Sequence, residues 1–324
     1  MTRFTIGFDK RDAPVLHRLW DEVIASERWT EGPFTKQFEE AWSAYGDFPS
    51  VAFSSWSGAA LAALEYFKVR GKTVLCPSNT FMATPLVTLQ AGARVEFVDC
   101  NRTDLCLSLA DLTRKVEEFR PAAVWLVHIG GHIAFETEEI AAFCEQRGVV
   151  LLEDCAHAHG AQWHGKRAGA WGDAGVYSFY GTKTISTGEG GMLVTRDADL
   201  VEFARLYRNY GKPQHVVHGL NHRMSEFVAA IGVVQTRRLP DIIDFKQNLA
   251  AKLDTQFSNR VRLPDGMVSG YYKYIVFDEI PNSTGKVYDA PCHRILNHSV
   301  DLPDTDWVAS HHWCVPIYYQ TPAD

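Results

Sequence analysis

The chain has 324 residues, 46% of them hydrophobic and 22% charged, which is ordinary for a globular protein with room for about two domains. Its formal net charge of −7 disfavours nucleic acid as a partner, and no run of about 18 uncharged apolar residues predicts a membrane span. The start has no signal-peptide core and the seven cysteines form no Cys-x-x-Cys pair, so we expect a cytoplasmic protein with reduced thiols.

Helical and strand-like segments alternate along the first half of the chain. Apolar residues at helical spacing predict helices at 13–26 and 34–46, and a third helix is predicted at 59–71, where Gly71 ends it. Strands and helices then follow in turn at 73–78, 81–93, 94–100, 122–129, 137–148 and 149–155. The strands are continuous apolar runs, which is typical of a sheet covered on both faces. This order predicts a doubly wound, mostly parallel α/β sheet.

The pattern changes after about residue 240. A long helix is predicted over 240–257, a strand-like segment follows at 269–279, and the last residues are aromatic and irregular. We therefore expect a large α/β domain at residues 1–240 and a smaller C-terminal α+β domain at 241–324.

The junctions after the strands are the first places to look for a site, because open parallel sheets bind ligands beyond the carboxyl ends of their strands. The segment SSWSG at 54–58 offers hydroxyl and backbone N–H groups at a helix start, which suit a phosphate. An ordinary helix cap is the alternative interpretation. Phe81, just beyond the next strand, would either cover a ring-shaped ligand or join the core.

Asp154 ends a predicted buried strand, where a carboxylate is costly without a cationic partner. A protonated ring nitrogen of a ligand would be such a partner. His157 and His159 follow closely, so the three side chains could instead bind a metal. That spacing is only a loose ligand pattern and no third strong ligand is evident nearby, so we expect no metal site.

The segment SFYGTKTISTGEGG at 178–191 places Lys183 between a strand end and a glycine-rich turn. It would be either a solvated loop lysine or a nucleophilic amine. Ser178 adds a second hydroxyl for a phosphate. A phosphate site, a carboxylate, a flat aromatic ring and a lysine are together what pyridoxal 5′-phosphate (PLP) requires, because its aldehyde forms a Schiff base with a lysine and its protonated ring is an electron sink.

Several segments between about residues 12 and 240 resemble the DegT-type sugar aminotransferases, which are fold-type I PLP enzymes. The most specific of these are SFYGTK and GEGG at 178–191, VVLLEDCAHAHGA at 149–161 and LNHRMSEFVAAIGVVQTRRL at 220–239. The resemblance implies the fold-type I architecture, a homodimer with shared active sites, and a role in amino-sugar biosynthesis. It also implies a ping-pong transfer of an amino group, usually from glutamate, to a nucleotide-linked keto-sugar.

The resemblance assigns the catalytic role to Lys183, which would form the Schiff base with PLP and carry the proton between carbon atoms. The phosphate of PLP would be bound by Ser57, Gly58 and Ser178. Asn221 would reach the phosphate of the neighbouring subunit, so the active site would lie at a dimer interface.

Three further cofactor contacts are implied. Asp154 would pair with the ring nitrogen and Phe81 would cover the ring face. His157 stands where the family usually has a glutamine bonded to the phenolic oxygen of PLP. A histidine can donate the same hydrogen bond, but its charge would then depend on pH.

Candidate substrate contacts are more scattered. Thr30 and Gly32 match a family segment near the substrate, and Glu189 lies in the turn that follows the lysine. His128 is expected on the ligand side of the sheet because it ends a predicted strand. His311 would line the pocket or pack within the small domain.

Three other functions compete with a sugar aminotransferase. An aminotransferase for a keto-cyclitol would use the same chemistry. A PLP-binding protein without turnover is suggested by His157 and by a C-terminal region shorter than is usual in the family. The dehydratase branch of the family carries histidine at the position of Lys183, so the lysine argues against it.

Overall fold

A computed structural model of the chain describes residues 5–321. Its central feature is a seven-stranded sheet with the strand order β1-β9-β8-β5-β4-β2-β3. The strands of the chain are β1 Ser50–Phe53, β2 Thr73–Pro77, β3 Arg94–Val98, β4 Ala123–Val127, β5 Val150–Asp154, β6 Gln162–Trp163, β7 Lys166–Arg167, β8 Ala174–Ser178, β9 Gly191–Val194, β10 Tyr274–Val276 and β11 Trp313–Val315. Within this sheet only β9 runs against its neighbours, β1 and β8. The prediction of a mostly parallel α/β sheet is confirmed.

Helices cover both faces of the sheet. They are α1 Ala13–Ser26, α2 Pro33–Gly46, α3 Trp56–Tyr66, α4 Ala83–Gln90, α5 Leu109–Phe119, α6 Thr137–Arg147, α7 Ala198–Tyr207, α8 Glu226–Asp254, α9 Cys292–Ile295 and α10 Pro303–Ser310, with a 3₁₀ turn at Lys10–Asp12. Neighbouring strand residues alternate between the faces: Trp125 and Leu152 pack with α3, α4 and α7, whereas Leu126 and Leu151 pack with α5 and α6. Burial on both faces explains why these strands are apolar throughout.

Helix α3 begins earlier than its apolar pattern predicts. Ser55 is its N-cap, and the Ser55 hydroxyl accepts a hydrogen bond from the Gly58 N–H at 3.2 Å. The residues SWSG therefore form the first turn of the helix instead of a loop before it. This cap brings the N-terminus of α3 to the carboxyl edge of the sheet, beside the ends of β5 and β8.

Helix α8 connects the sheet to the C-terminal part of the chain. It contains Pro240 and continues without a break to Asp254, so the boundary predicted between residues 240 and 241 falls inside it. Leu253 near its end packs with Tyr274 and Val315 of the antiparallel pair β10 and β11. We propose that the smaller structural unit begins after Asp254. None of the helices within residues 5–321 is long and apolar enough to cross a bilayer.

Candidate active site

A cavity of about 530 Å³ lies beyond the carboxyl ends of β5 and β8, and we refer to it as the main cavity. Seven of the residues singled out from the sequence line it: Ser57, Phe81, Asp154, His157, Ser178, Lys183 and Glu189. A depression of about 670 Å³ beside α6 is larger but contains none of these residues. The main cavity is therefore the candidate active site.

Asp154 is the last residue of β5 and is buried at the base of the main cavity. Its carboxylate accepts hydrogen bonds of 3.0 Å from the Thr84 hydroxyl and from the Ala156 N–H. Burial raises the pKa of this carboxyl group, while these hydrogen bonds and the charge of Lys183 act against the rise. A cation placed against Asp154 would stabilise its charged form further.

His157 is buried in the wall of the main cavity, and its Nδ1 atom has no hydrogen-bond partner among residues 5–321. The ring stacks against Tyr272 at 4.1 Å between centroids and against Tyr288 at 5.7 Å. Burial, followed by the charge of Lys183, lowers the pKa of His157 well below its usual value. The imidazole is therefore neutral near pH 7, and the pH-dependent charge expected from the sequence does not arise there.

The N-terminus of α3 faces the main cavity through Ser57. The first turn of a helix leaves backbone N–H groups without helical partners. Here the N–H groups of Trp56 and Ser57 are left for a ligand, because the N–H group of Gly58 already donates to the Ser55 hydroxyl. Gly58 does not line the cavity. A Cβ atom on Gly58 would lie 2.9 Å from Nδ1 of His222, so close packing explains the glycine better than a ligand contact does.

Lys183 lies in the turn after β8, where its N–H donates to the Tyr180 carbonyl at 2.9 Å. Its Nζ atom is 5.1 Å from the centre of the Tyr272 ring. Burial lowers the pKa of Lys183 to about 8, with Asp154 raising it and Lys273 lowering it further. A substantial part of this amine is neutral near physiological pH, as a nucleophile or general base requires.

Three more predicted residues complete the wall of the main cavity. Phe81 lies in the turn before α4 with 65% of its surface exposed, so it is free to cover a ligand and does not belong to the core. Ser178 ends β8, and its hydroxyl accepts the Tyr180 N–H at 3.3 Å. Glu189 is exposed in the turn before β9.

Two predicted histidines lie away from the main cavity. His128 is completely buried; its Nε2 bonds to the Glu153 carboxylate at 2.9 Å and its Nδ1 accepts the Ala134 N–H at 3.1 Å. Both ring nitrogens are occupied, so His128 holds the fold together and does not face the substrate region. His311 is exposed and stacks on Trp307 at 4.7 Å, so it packs within the C-terminal region.

Three further candidates are also outside the main cavity of a single chain. Thr30 forms an isolated β-bridge with Ser225. Gly32 packs against the carboxylate of Glu226, where a Cβ atom would lie 2.6 Å from Oε2. Asn221 is exposed at the surface, and its predicted contact with a neighbouring subunit stays a prediction.

The alternative metal site is not supported by the geometry. His159 is buried among the rings of Trp42, Tyr177 and Phe179, at centroid distances of 5.5–5.8 Å. Burial lowers its pKa to about 3, so it is a neutral core residue. Within residues 5–321 it does not join Asp154 and His157 in a group with metal-ligand spacing.

Sequence reasoning missed the wall contributed by the C-terminal region. Tyr272 and Tyr288 both line the main cavity and enclose His157. The paired tyrosines of the segment SGYYKYIVF are a weak signal at best, because aromatic residues beside a strand usually belong to the core.

Comparisons with known proteins group this chain with aminotransferases. The family model described as the DegT/DnrJ/EryC1/StrS aminotransferase family matches residues 15–269. A GDP-perosamine synthase of Vibrio cholerae is 34% identical over 56% of this chain, and the match spans half the length of that relative. A dTDP-3-amino-3,4,6-trideoxy-alpha-D-glucose transaminase of Micromonospora megalomicea subsp. nigra is 30% identical over 99% of this chain and 94% of its own.

The fold is also similar to that of a solved aminotransferase. The crystal structure of the aminotransferase TlmJ from Streptoalloteichus hindustanus superposes with a TM-score of 0.88 and 28% identity, covering 98% of this chain and 93% of that one. The family match extends from α1 to beyond the end of α8 and contains every predicted residue of the main cavity. The chain belongs to the DegT/DnrJ/EryC1/StrS aminotransferase family.

Proposed function

We propose that this protein is a PLP-dependent aminotransferase that transfers an amino group from glutamate to a nucleotide-linked keto-sugar. The observation that carries the proposal is the meeting of Lys183, Asp154 and His157 in one cavity beside the N-terminus of α3. The names of two relatives, a GDP-perosamine synthase and a dTDP-amino-sugar transaminase, support an amino-sugar product.

The residues of the main cavity fit PLP in four respects. The Asp154 carboxylate would bind the protonated ring nitrogen, and the unpaired Nδ1 of His157 would bond to the phenolic oxygen. The α3 N-terminus with Ser57 and Ser178 would bind the phosphate. Phe81 would cover the ring. When bound, PLP supplies an electron sink for the negative charge that develops at Cα of the amino donor.

The chain itself supplies attachment and proton transfer. Lys183 Nζ would bond to the cofactor until the amino group of the donor replaces it. The released amine, with its pKa near 8, would then take the proton from Cα of the donor and deliver it to the cofactor carbon to which Lys183 had been bonded. Asp154 would hold the ring nitrogen in its protonated state throughout, because a buried carboxylate favours a cation beside it.

We infer that the second half of the reaction uses the same residues, with the steps in reverse order and the keto-sugar as acceptor. A keto-cyclitol of similar size is the alternative acceptor, since the chemistry at Lys183 would be identical. Phe81 and Glu189 lie at the exposed side of the main cavity, where the nucleotide of a nucleotide-linked sugar would extend.

We also propose a homodimer and a cytoplasmic location. The exposed Phe81 and Asn221 support the dimer, because a neighbouring subunit would shield both. All seven cysteines are free and buried, which supports a reducing compartment.

The decisive experiment is an absorbance spectrum of the purified protein with PLP, before and after addition of glutamate. We expect a visible band that shifts to shorter wavelength with glutamate and returns when a keto-sugar is added. Lys183→Ala should lose both the band and turnover while its circular dichroism spectrum is unchanged. A band that responds to no amino donor would instead indicate a PLP-binding protein without turnover.

A second measurement separates the acceptors. The glutamate-treated protein would be offered nucleotide-linked keto-sugars and free keto-cyclitols, and the return of the original band would be followed. Return with cyclitols alone would contradict the proposed substrate class while leaving the aminotransferase activity in place.

A further inference from the structure

A second, much smaller cavity adjoins the main cavity and shares the lining residues Thr182, Lys183 and Tyr272 with it. It has a volume of about 20 Å³, and we call it the lysine cavity because Lys183, Lys246 and Lys273 all line it. The ring of Tyr272 therefore borders both cavities. The Nζ atoms of Lys183 and Lys273 lie 5.1 and 5.2 Å from the centre of this ring.

The lysine cavity has an unbalanced positive charge. Its lining within residues 5–321 contains three lysines and no carboxylate. Lys246 projects from α8 and is only 6% exposed, and its ammonium group donates to the Tyr271 carbonyl at 3.1 Å. Burial lowers the pKa of Lys246 to about 7, and the charge of Lys273 lowers it further. A buried ammonium group next to another cation is costly unless it loses its proton or an anion lies between the two cations.

An unsatisfied hydroxyl group faces the same space. Thr184 lines the lysine cavity, is 3% exposed, and its Oγ1 has no hydrogen-bond partner among residues 5–321. The hydroxyl of Thr182, by contrast, is paired with the Tyr272 hydroxyl at 3.2 Å. A buried hydroxyl is normally hydrogen-bonded, so Thr184 provides a donor that is ready for a ligand.

The other charged groups nearby are already engaged or neutral. Asp154 faces Lys183 from the main cavity, and the carboxylate of Asp9 is bonded to Arg11 and to the Tyr319 hydroxyl. His157 and His159 are neutral because burial and these lysines lower their pKa values. No nearby carboxylate is therefore free to neutralise Lys246.

The size of the lysine cavity selects among anions. The small volume of about 20 Å³ favours a monatomic anion over a carboxylate or a phosphate while Tyr272 is in place. We propose that the lysine cavity binds one chloride ion between the ammonium groups of Lys246 and Lys273 and the hydroxyl of Thr184. This proposal concerns the protein without substrate and does not depend on the proposed function.

A consequence for Lys183 does rest on the proposed function. An anion beside Lys183 favours its protonated form, whereas the empty cavity favours the neutral amine. Chloride would therefore slow the attachment of PLP to Lys183 near pH 7.

The test uses the purified full-length chain without amino donor. Crystals soaked in bromide should show one anomalous peak within contact distance of Lys246, Lys273 and Thr184. The Tm should rise saturably, by roughly 2 °C or more, when chloride replaces gluconate at equal ionic strength. Lys246→Met and the isosteric Thr184→Val should lose this dependence, whereas Lys252→Met, which changes an exposed lysine on the same helix, should keep it.

Two results would overturn the chloride site. The absence of a bromide peak together with equal Tm values in chloride and gluconate would mean that the cavity holds water. A bromide peak that lies out of contact with Lys246, Lys273 and Thr184 would place the anion elsewhere on the protein. Neither result affects the absorbance test of the aminotransferase, so the two proposals fail separately.

Discussion

At the scale of single residues, Lys183 shows how position changes the chemistry of a side chain. The same residue type in water has a pKa near 10.5, and here burial lowers it to about 8. Asp154 on one side raises the value and Lys273 on the other lowers it. The sequence motif identifies the lysine, whereas the balance between these charges depends on residues from distant segments.

The pKa of Lys183 predicts a pH dependence for covalent attachment of PLP. Only the neutral amine attacks an aldehyde, so the rate should rise about tenfold per pH unit below pH 8 and level off above it. Stopped-flow absorbance after mixing the PLP-free protein with PLP measures this rate, with Lys183→Ala as the blank. A rate that keeps rising to pH 10 would mean that the amine is not perturbed.

His157 is the departure from the family pattern that most directly concerns the cofactor. Since the ring is neutral, we expect His157→Gln to bind PLP about as tightly, because an amide N–H donates the same hydrogen bond. His157→Phe keeps an aromatic ring against Tyr272 but loses the donor, which should weaken PLP binding by about three- to tenfold.

Equilibrium titration of both variants with PLP would measure these affinities. The comparison isolates the hydrogen bond, because only the phenylalanine variant preserves the stacking contact and only the glutamine variant preserves the donor. If the phenylalanine variant binds PLP as tightly as the wild type and the glutamine variant binds it more weakly, His157 contributes through packing alone.

At the scale of elements, a residue at the start of α8 caps the N-terminus of α2. The Glu226 carboxylate is completely buried and accepts hydrogen bonds from the N–H groups of Phe34, at 2.6 Å, and Thr35, at 3.0 Å, as well as from the Thr35 hydroxyl. It thus caps a helix whose own N-cap residue, Gly32, has no side chain to do so. The close approach of the Glu226 carboxylate explains the glycine at position 32, which does not line the main cavity.

Replacing this carboxylate should destabilise the whole chain. Glu226→Gln removes the charge and places the amide NH2 group against the N–H and O–H groups that now donate to the carboxylate. This change should lower the free energy of unfolding by about 1.5–3 kcal/mol. Urea denaturation measures the change, and the exposed Glu22→Gln on α1 is the matched control, expected within about 0.5 kcal/mol of the wild type. Equal midpoints for the two variants would contradict the capping role.

The limits of the helices and strands also show what local sequence can predict. The spacing of apolar residues gives α1 its correct bounds, 13–26. The same pattern places α3 too late, because the serine cap and the three residues after it, Trp56, Ser57 and Gly58, show no apolar periodicity. The short antiparallel β9 is not predicted, since four residues beside a glycine turn contain too little pattern.

At the scale of the whole molecule, the proposed dimer accounts for features that a single chain leaves open. Phe81 is largely exposed beside the main cavity, and Asn221 lies on the surface. If Asn221 completes the phosphate site of the neighbouring subunit, each active site needs residues from two chains.

This arrangement can be tested with mixed dimers. Lys183→Ala and Asn221→Ala should each have little activity alone, but mixing them under exchange conditions should restore about one quarter of wild-type activity, because half of the dimers are mixed and each has one intact site. Activity would be followed with glutamate and the acceptor found above, after light scattering has established the dimer. No recovery in exchanged dimers would place Asn221 outside the neighbouring site.

The sequence by itself determined the α/β class and identified seven of the residues that line the main cavity. This was possible because residues at the ends of parallel strands, such as Asp154 and Ser178, meet at one edge whatever the rest of the chain does. Three contacts were decided by the tertiary structure alone. The Glu153 carboxylate bonds to the His128 ring, Glu226 packs on Gly32, and Tyr272 forms part of the wall of the main cavity. These contacts join residues that are far apart in the chain, and no local pattern of polarity specifies them. The same holds for the charges around Lys183, since burial and neighbours set a pKa only after the chain has folded.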